Sequence, residues 1–220
     1  MKKITAVIPI RKGSVRIKDK NIKPFGDTTL LEFKINTLKK SKLISEIIVN
    51  TDSDEAIKIA KKHNVGFHVR EEYFASSECS ANDYFEYLGK TTDSEYIAYT
   101  PVTAPFITLD TINACINMFD FHNPNDTIIT GSLVKDFLFK KNIPLNFTLD
   151  KHPKSQDFND IFAINFGVCL LSREKLLETR TILGNSPRIY QITDIEGVDI
   201  DNPLDFEYAE FLYSKVKNNY

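Results

Sequence analysis

The sequence predicts an α/β protein of three layers (αβα), with a mostly parallel sheet between helices. Three observations predict it. Short apolar runs of strand length alternate with stretches of helical periodicity along the chain. The first run, Ile4 to Ile10, is apolar nearly throughout, as a strand covered on both faces requires. Residues 4–69 then read strand, helix, strand, helix, strand, at a spacing that allows crossover helices and parallel pairing.

After Ile10 comes a basic loop holding Arg11, Lys12, Arg16, Lys18 and Lys20 around Gly13 and Ser14. A glycine among cations suits a backbone bending closely around an anion. Leu30, Leu31, Phe33, Ile35 and Leu38 form an amphipathic helix ending in Lys39 and Lys40, which suit a helix C-terminus. Ile47 to Val49 is the second strand. Asp52 and Glu55 read as a capping box for a helix through Ala60, and Gly66 as its terminator. Phe67 to Val69 is the third strand. Ser80 starts a helix through Leu88, and Tyr96 to Tyr99 is a fourth strand. Thr100 to Phe106, with prolines at 101 and 105, is a loop. Thr108 opens another helix, and Ile128 and Ile129 lie in a fifth strand.

From 135 to 160 the rhythm breaks at Lys140, Lys141, Pro144 and Pro153, yet Phe137, Phe139, Leu145, Phe147 and Leu149 supply apolar material. This segment is an expected excursion within one domain spanning 1–220, lying over the site or embracing a partner subunit. Phe162 to Leu171 returns as a strand, and Arg188 to Ile192 is another. Asn202 as N-cap and Pro203 at the first helical position open the last helix.

The chain has 220 residues and a net charge of −2, which excludes a general nucleic-acid binder. No apolar run approaches membrane-spanning length, and MKKITAVIPI is too short to read as a signal peptide. A cytoplasmic protein without membrane contact is expected. Cys79, Cys115 and Cys169 are too far apart for a zinc knuckle, and each is expected to be a small buried thiol. The histidines at 63, 68, 122 and 152 show no HExxH spacing.

Asp199 and Asp201 flank Ile200, and in an extended segment both carboxylates point to one side. Such a pair suits Mg²⁺, which takes one or two carboxylates and leaves its other positions to water and phosphates. The alternative is that Asp199 bonds a turn and Asp201 helps to cap the last helix. A basic loop after the first strand and a carboxylate pair near the end can together hold a metal–triphosphate. The loop matches neither GxxxxGK[ST] nor GxGxxG.

Four segments resemble the CMP-sugar-acid synthetase family, the acylneuraminate cytidylyltransferases. They are Ile10 to Gly26, Ile47 to Val65, Thr103 to Thr108, and Gly197 to Glu210. The resemblance implies a Rossmann-like nucleotidyltransferase (GT-A-like) fold. It also implies Mg²⁺-dependent transfer of CMP from CTP to a nonulosonic acid, and a homodimer. It places Arg11, Gly13, Ser14, Lys20 and Asn21 on the triphosphate, with Arg11, Lys20 and Asp201 catalytic. Arg70 and Ser80 fall on the nucleotide, Asp199 and Asp201 on the metal, and Thr103, Gln156 and Asn165 on the acceptor. Pro101 stands where relatives carry a glutamine, and Ser155 where they often carry an arginine. Both departures fall on the acceptor side, so a Kdo-like acid or a phosphonate is an alternative acceptor. A non-catalytic nucleotide-binding protein of the same fold is the alternative from another class.

Overall fold

The computed structural model describes residues 2–13, 17 and 19–217. Strand β1 (Ile4–Ile10) leads to a ribbon, β2 (Pro24–Phe25) and β3 (Thr28–Thr29), and then to helix α1 (Leu30–Lys39). β4 (Glu46–Thr51), α2 (Asp54–Lys62) and β5 (Gly66–Val69) complete the expected βαβαβ unit. There follow α3 (Glu72–Ala75), α4 (Ala81–Thr91), β6 (Tyr96–Tyr99), α5 (Leu109–Met118) and β7 (Thr127–Leu133). A second ribbon, β8 (Phe139–Lys140) and β9 (Ile143–Pro144), lies in the excursion with a 3-10 turn at Ser155–Asp157. β10 (Phe162–Ser172), α6 (Arg173–Thr179), β11 (Arg188–Ile192) and α7 (Pro203–Val216) end the chain. None of these helices is long and apolar enough to cross a membrane.

Seven strands form one sheet in the order β11-β7-β10-β6-β1-β4-β5. All neighbours are parallel except β10, which runs antiparallel to both β6 and β7. The chain moves from β1 to β4 and β5 on one side, then crosses to β6 on the other. The order therefore reverses at β1, and open α/β sheets bind ligands in the crevice at the carboxyl ends of such strands.

Strand alternation builds the three layers. Ile4, Ala6, Ile8 and Ile10 of β1 join a core with α1, α2, α5 and α7, while Val7 faces the opposite core with Leu88 of α4 and Leu176 of α6. Ala98 and Ile97 on β6 divide in the same way. On the first face Phe25 packs against Phe33, Phe106, Phe206 and Tyr213 at centroid distances of 5.0–6.3 Å. Gly26 has φ +60°, and a Cβ there would collide with the Tyr213 ring. This contact seats the β2-β3 ribbon on α7, and with it the end of the basic loop.

Local details differ from the expectations. Ser53, not Asp52, caps α2, its hydroxyl accepting from the Ala56 N–H at 3.3 Å. Asp52 is thereby released to bind the Lys12 N–H. Asn64, with φ 51°, supplies the left-handed residue after α2, and Gly66 begins β5 instead. Cys115 and Cys169 are buried, but Cys79 is only half-buried.

Candidate active site

The basic loop leaves the carboxyl end of β1, where the strand order reverses. Asp52 Oδ1 accepts from the Lys12 N–H at 2.7 Å, tying the loop to the end of β4. Asn21 Nδ2 donates to the Arg11 carbonyl at 3.4 Å, and the Asn21 carbonyl accepts from the Leu31 N–H. Gly13 has φ +72°, and a Cβ there would meet no atom of the described residues within 4 Å, its chain neighbours aside. Its glycine therefore serves the bend of the backbone, not close packing. Ser14 lies outside the described residues.

Lys20 is only 8 % exposed, unlike Arg11, which is open to solvent. Its ammonium donates to the carbonyl of Ile200, the residue between the two aspartates. The chain's first loop and its last strand-to-helix connection thus meet at one charged group.

Ile200 is fully buried, between a half-buried Asp199 and an exposed Asp201. Its N–H donates to the Thr103 carbonyl at 2.8 Å. Asp199 Oδ1 is buried and has no hydrogen-bond partner among the described residues. Burial raises the Asp199 pKa, and the Asp201 charge adds to the rise, against a hydrogen bond from Thr103 and the nearby Lys20 charge. The cap of α7 is made by Asn202 and Asp205, whose side chains accept from each other's N–H groups. Asp201 is therefore not the capping side chain. An orphaned buried carboxylate oxygen beside a second carboxylate fits a hard divalent cation. Among the described residues no group of three or more such ligands exists, so a cation here would complete its shell from water and phosphate.

Two buried ionisable side chains hold this region in place. Glu196 accepts five hydrogen bonds: from the N–H and hydroxyl of Thr108, the hydroxyl of Thr111, and the N–H and hydroxyl of Thr193. Burial pushes its pKa up, but these donors, Thr111 foremost, outweigh burial and hold it below the usual value. The second is Lys34 on α1, 1 % exposed, whose Nζ donates to the Ala104 carbonyl at 2.7 Å. Burial lowers its pKa from 10.5 to about 7. An unfolded lysine titrates near 10.5, so between about pH 7 and 10.5 the unfolded chain binds the proton that the folded chain lacks. Stability from this group must rise with pH across that window, by on the order of a few kcal/mol. Urea denaturation of Lys34→Met should lack that rise; an unchanged pH dependence would show that Lys34 is charged when folded.

Beside the loop, at the carboxyl ends of β1 and β6, lies a cleft of about 510 Å³. Arg11, Lys20, Asn21, Arg70, Ser80 and Thr103 all line it, as does Pro101. Ser80 also caps α4, accepting from the Asp83 N–H at 3.1 Å. Phe74, Cys79, Tyr84 and Tyr99 complete the wall.

Gly13, Asp199 and Asp201 do not line this cleft, although Lys20 of its lining bonds the Ile200 carbonyl between the two aspartates, and two further expected residues lie away from it. Asn165 is 5 % exposed and spends its amide within the fold, accepting from Thr130 and donating to the Glu196 carbonyl. It lies where β10 bulges away from β7, between Ile164 and Cys169, beside Phe166 with φ 54°. It braces the turn before Asp199. Gln156 lies exposed on the 3-10 turn of the excursion and lines no part of the cleft. Conversely, Asn50, Tyr84, Lys34 and Glu196 were not singled out by the sequence pattern. Glu196 carried a signal, since Thr193-x-x-Glu196 has capping-box spacing.

A mostly parallel sheet that reverses at β1, a cationic loop lining the cleft there, and an acidic pair tied to that lining through Lys20 and the Ile200 carbonyl make an α/β protein suited to hold phosphate. The chain belongs to the cytidylyltransferase family, which it matches over residues 5–215. It is 28 % identical over 242 residues to the post-translational flagellin modification protein B of Campylobacter coli, covering 99 % of this chain and 97 % of that one. It is 25 % identical over 235 residues to the CMP-N,N'-diacetyllegionaminic acid synthase of Campylobacter jejuni, again covering 99 % and 97 %. In fold it is similar to the 4-diphosphocytidyl-2C-methyl-D-erythritol synthase of Anaerococcus prevotii. That match has a TM-score of 0.73 and 17 % identity, covering 97 % of this chain and 96 % of the other.

Proposed function

We propose that the protein transfers CMP from CTP to a hydroxyl of a nonulosonic acid, of the neuraminic, legionaminic or pseudaminic type, and releases pyrophosphate. The observation that carries this reading is the meeting of Lys20 with the Asp199–Asp201 segment at the switch-point cleft of a cytidylyltransferase. The legionaminic acid named for the Campylobacter jejuni relative supports this acceptor class.

In the reaction the acceptor oxygen bonds to the α-phosphorus, and the bond from that phosphorus to the β-bridging oxygen breaks. Arg11 and Lys20 neutralise the phosphoryl and leaving oxygens, and Asn21 and Gly13 shape the loop that holds them. Arg70 and Ser80 lie on the nucleotide side, and Thr103 on the acceptor side. Asp199 and Asp201 would hold Mg²⁺, which when bound neutralises phosphate charge. The acceptor's proton leaves toward the same acidic end. Fixed charges in a half-closed cleft need no reorganisation as the phosphoryl charge redistributes, the main source of rate in such transfers.

The excursion supports a homodimer. Ile143, Leu145 and Leu149 on and beside its ribbon are 69 %, 55 % and 67 % exposed, an apolar surface suited to a second subunit. A partner seated there accounts for a Gln156 that finds no role within one chain.

Turnover with CTP, Mg²⁺ and a panel of neuraminic, legionaminic, pseudaminic and Kdo acids, read as pyrophosphate, tests the acceptor class. One nonulosonic acid should exceed Kdo by about 10-fold or more in kcat/KM, the discrimination that one or two specific contacts supply. Preference for Kdo, or pyrophosphate with none of the acids, would overturn the assignment.

A further inference from the structure

We infer that Asn50 is a positioning residue that sets the nucleotide side of the cleft by fixing the guanidinium of Arg70; this rests on reading the cleft as a CTP site. Asn50 is the next-to-last residue of β4 and is 1 % exposed. Arg70 follows β5 directly, its N–H donating to the Thr51 carbonyl at 2.8 Å.

The guanidinium is held along one edge. Nε donates to Asn50 Oδ1 at 2.7 Å, and Nη2 donates to the Asn50 backbone carbonyl at 2.9 Å. Nη2 also donates to the Tyr84 hydroxyl at 3.0 Å, while the guanidinium carbon lies 4.4 Å from the centre of that ring. The Tyr84 hydroxyl in turn donates to Asn50 Oδ1 at 3.1 Å. Burial pushes the Tyr84 pKa up to about 12, so that proton stays in place. One residue, Asn50, thus accepts from Arg70 through both its side chain and its backbone.

These bonds also decide which way the amide points. Oδ1 receives two donors, so Nδ2 faces His68 Nδ1, 3.2 Å away, and must donate to it. His68 therefore carries its proton on Nε2. An amide flip would set Nδ2 against two donors and Oδ1 against the imidazole lone pair. The chain His68–Asn50–Arg70 has one satisfying arrangement, and it ends on a cation that lines the cleft.

The consequence is a preorganised cation. An arginine free to rotate would have to be ordered when a nucleotide binds, whereas here that cost is met on folding. Asn50 gains this role without touching ligand, since only Arg70 and Tyr84 of this group line the cleft.

A double-mutant cycle read by calorimetric CTP affinity tests the inference. Asn50→Leu removes the side-chain acceptor at similar volume and should weaken CTP about 10-fold, as losing one hydrogen bond to a charged group does. Asn50→Asp keeps the acceptor toward Arg70, and His68 can meet it with the other tautomer, so affinity should stay within about 3-fold. In an Arg70→Ala background, Asn50→Leu should add less than about 2-fold. An equal loss in both backgrounds, or no loss in folded Asn50→Leu, overturns the inference. If Asn50→Leu does not fold, Asn50→Ala enters the same cycle with the same expectation. Absence of CTP binding by the unmutated protein would instead overturn the reading of the cleft itself.

Discussion

Lys20→Ala is expected to lower turnover by about 10²-fold or more while the protein stays folded. The size of the effect follows from the placement of the ammonium. Lys20 is largely withdrawn from water, where a charge acts on phosphoryl oxygens through a weaker dielectric than at the surface. Its bond to the Ile200 carbonyl holds it beside both aspartates, so no reorganisation is needed as charge builds on the leaving group. The bond to the Ile200 carbonyl, a hydrogen bond to a charged group worth about 1.5–3 kcal/mol, is lost, and part of that is regained by no longer burying an ammonium. The melting temperature should therefore fall by only a few degrees. Single-turnover kinetics on the folded variant checks this. Turnover within a few-fold of normal would remove Lys20 from the catalytic role.

The second large effect is expected at the acidic pair. Asp199→Asn should abolish Mg²⁺-dependent turnover without destabilising the protein. Burial already disfavours the charged form of Asp199, and Oδ1 has no hydrogen bond to lose among the described residues. The neutral amide is relieved of that burial cost. Asp201→Asn should behave alike, since Asn202 and Asp205 carry the helix cap and Asp201 does not. A readout independent of activity is available. Ligand that binds only the folded protein raises stability in proportion to RT ln(1 + [L]/Kd), about 2.7 kcal/mol at 100-fold excess over Kd. The unmutated protein should melt higher in MgCl₂ with CTP than in CTP alone, and either variant should lose that increment. An undiminished Mg²⁺ increment in both would place the ion elsewhere.

Much of this architecture was legible in the sequence because burial on two faces leaves a one-dimensional trace. β1, β4, β6 and β10 read as apolar runs, and helices α4, α5 and α7 announced themselves by Ser80, Thr108 and Asn202 at their caps. The burial of Ile200 between the two aspartates was readable in the same way. Errors came where tertiary partners decide between equivalent local choices. Asp52 and Ser53 are both good caps, and the choice fell to Ser53 because Asp52 has a distant partner in the Lys12 N–H. Asn165 resembled an acceptor-binding residue, but the bulge in β10 turns it toward Thr130 and the turn before Asp199. Lys34 and Asn50 were illegible for a plainer reason. A lysine on an amphipathic helix and an asparagine at a strand end normally face water, and only the packed chain shows them buried.

The central claim is that this cleft moves the α-phosphorus of CTP onto an acid's hydroxyl. CTP labelled at the α-phosphate, incubated with Mg²⁺ and the preferred nonulosonic acid, tests it most directly. The label should pass into a CMP–acid conjugate, with one unlabelled pyrophosphate released for each conjugate formed. Label that stays in CTP, or emerges as free CMP with no conjugate, would contradict it.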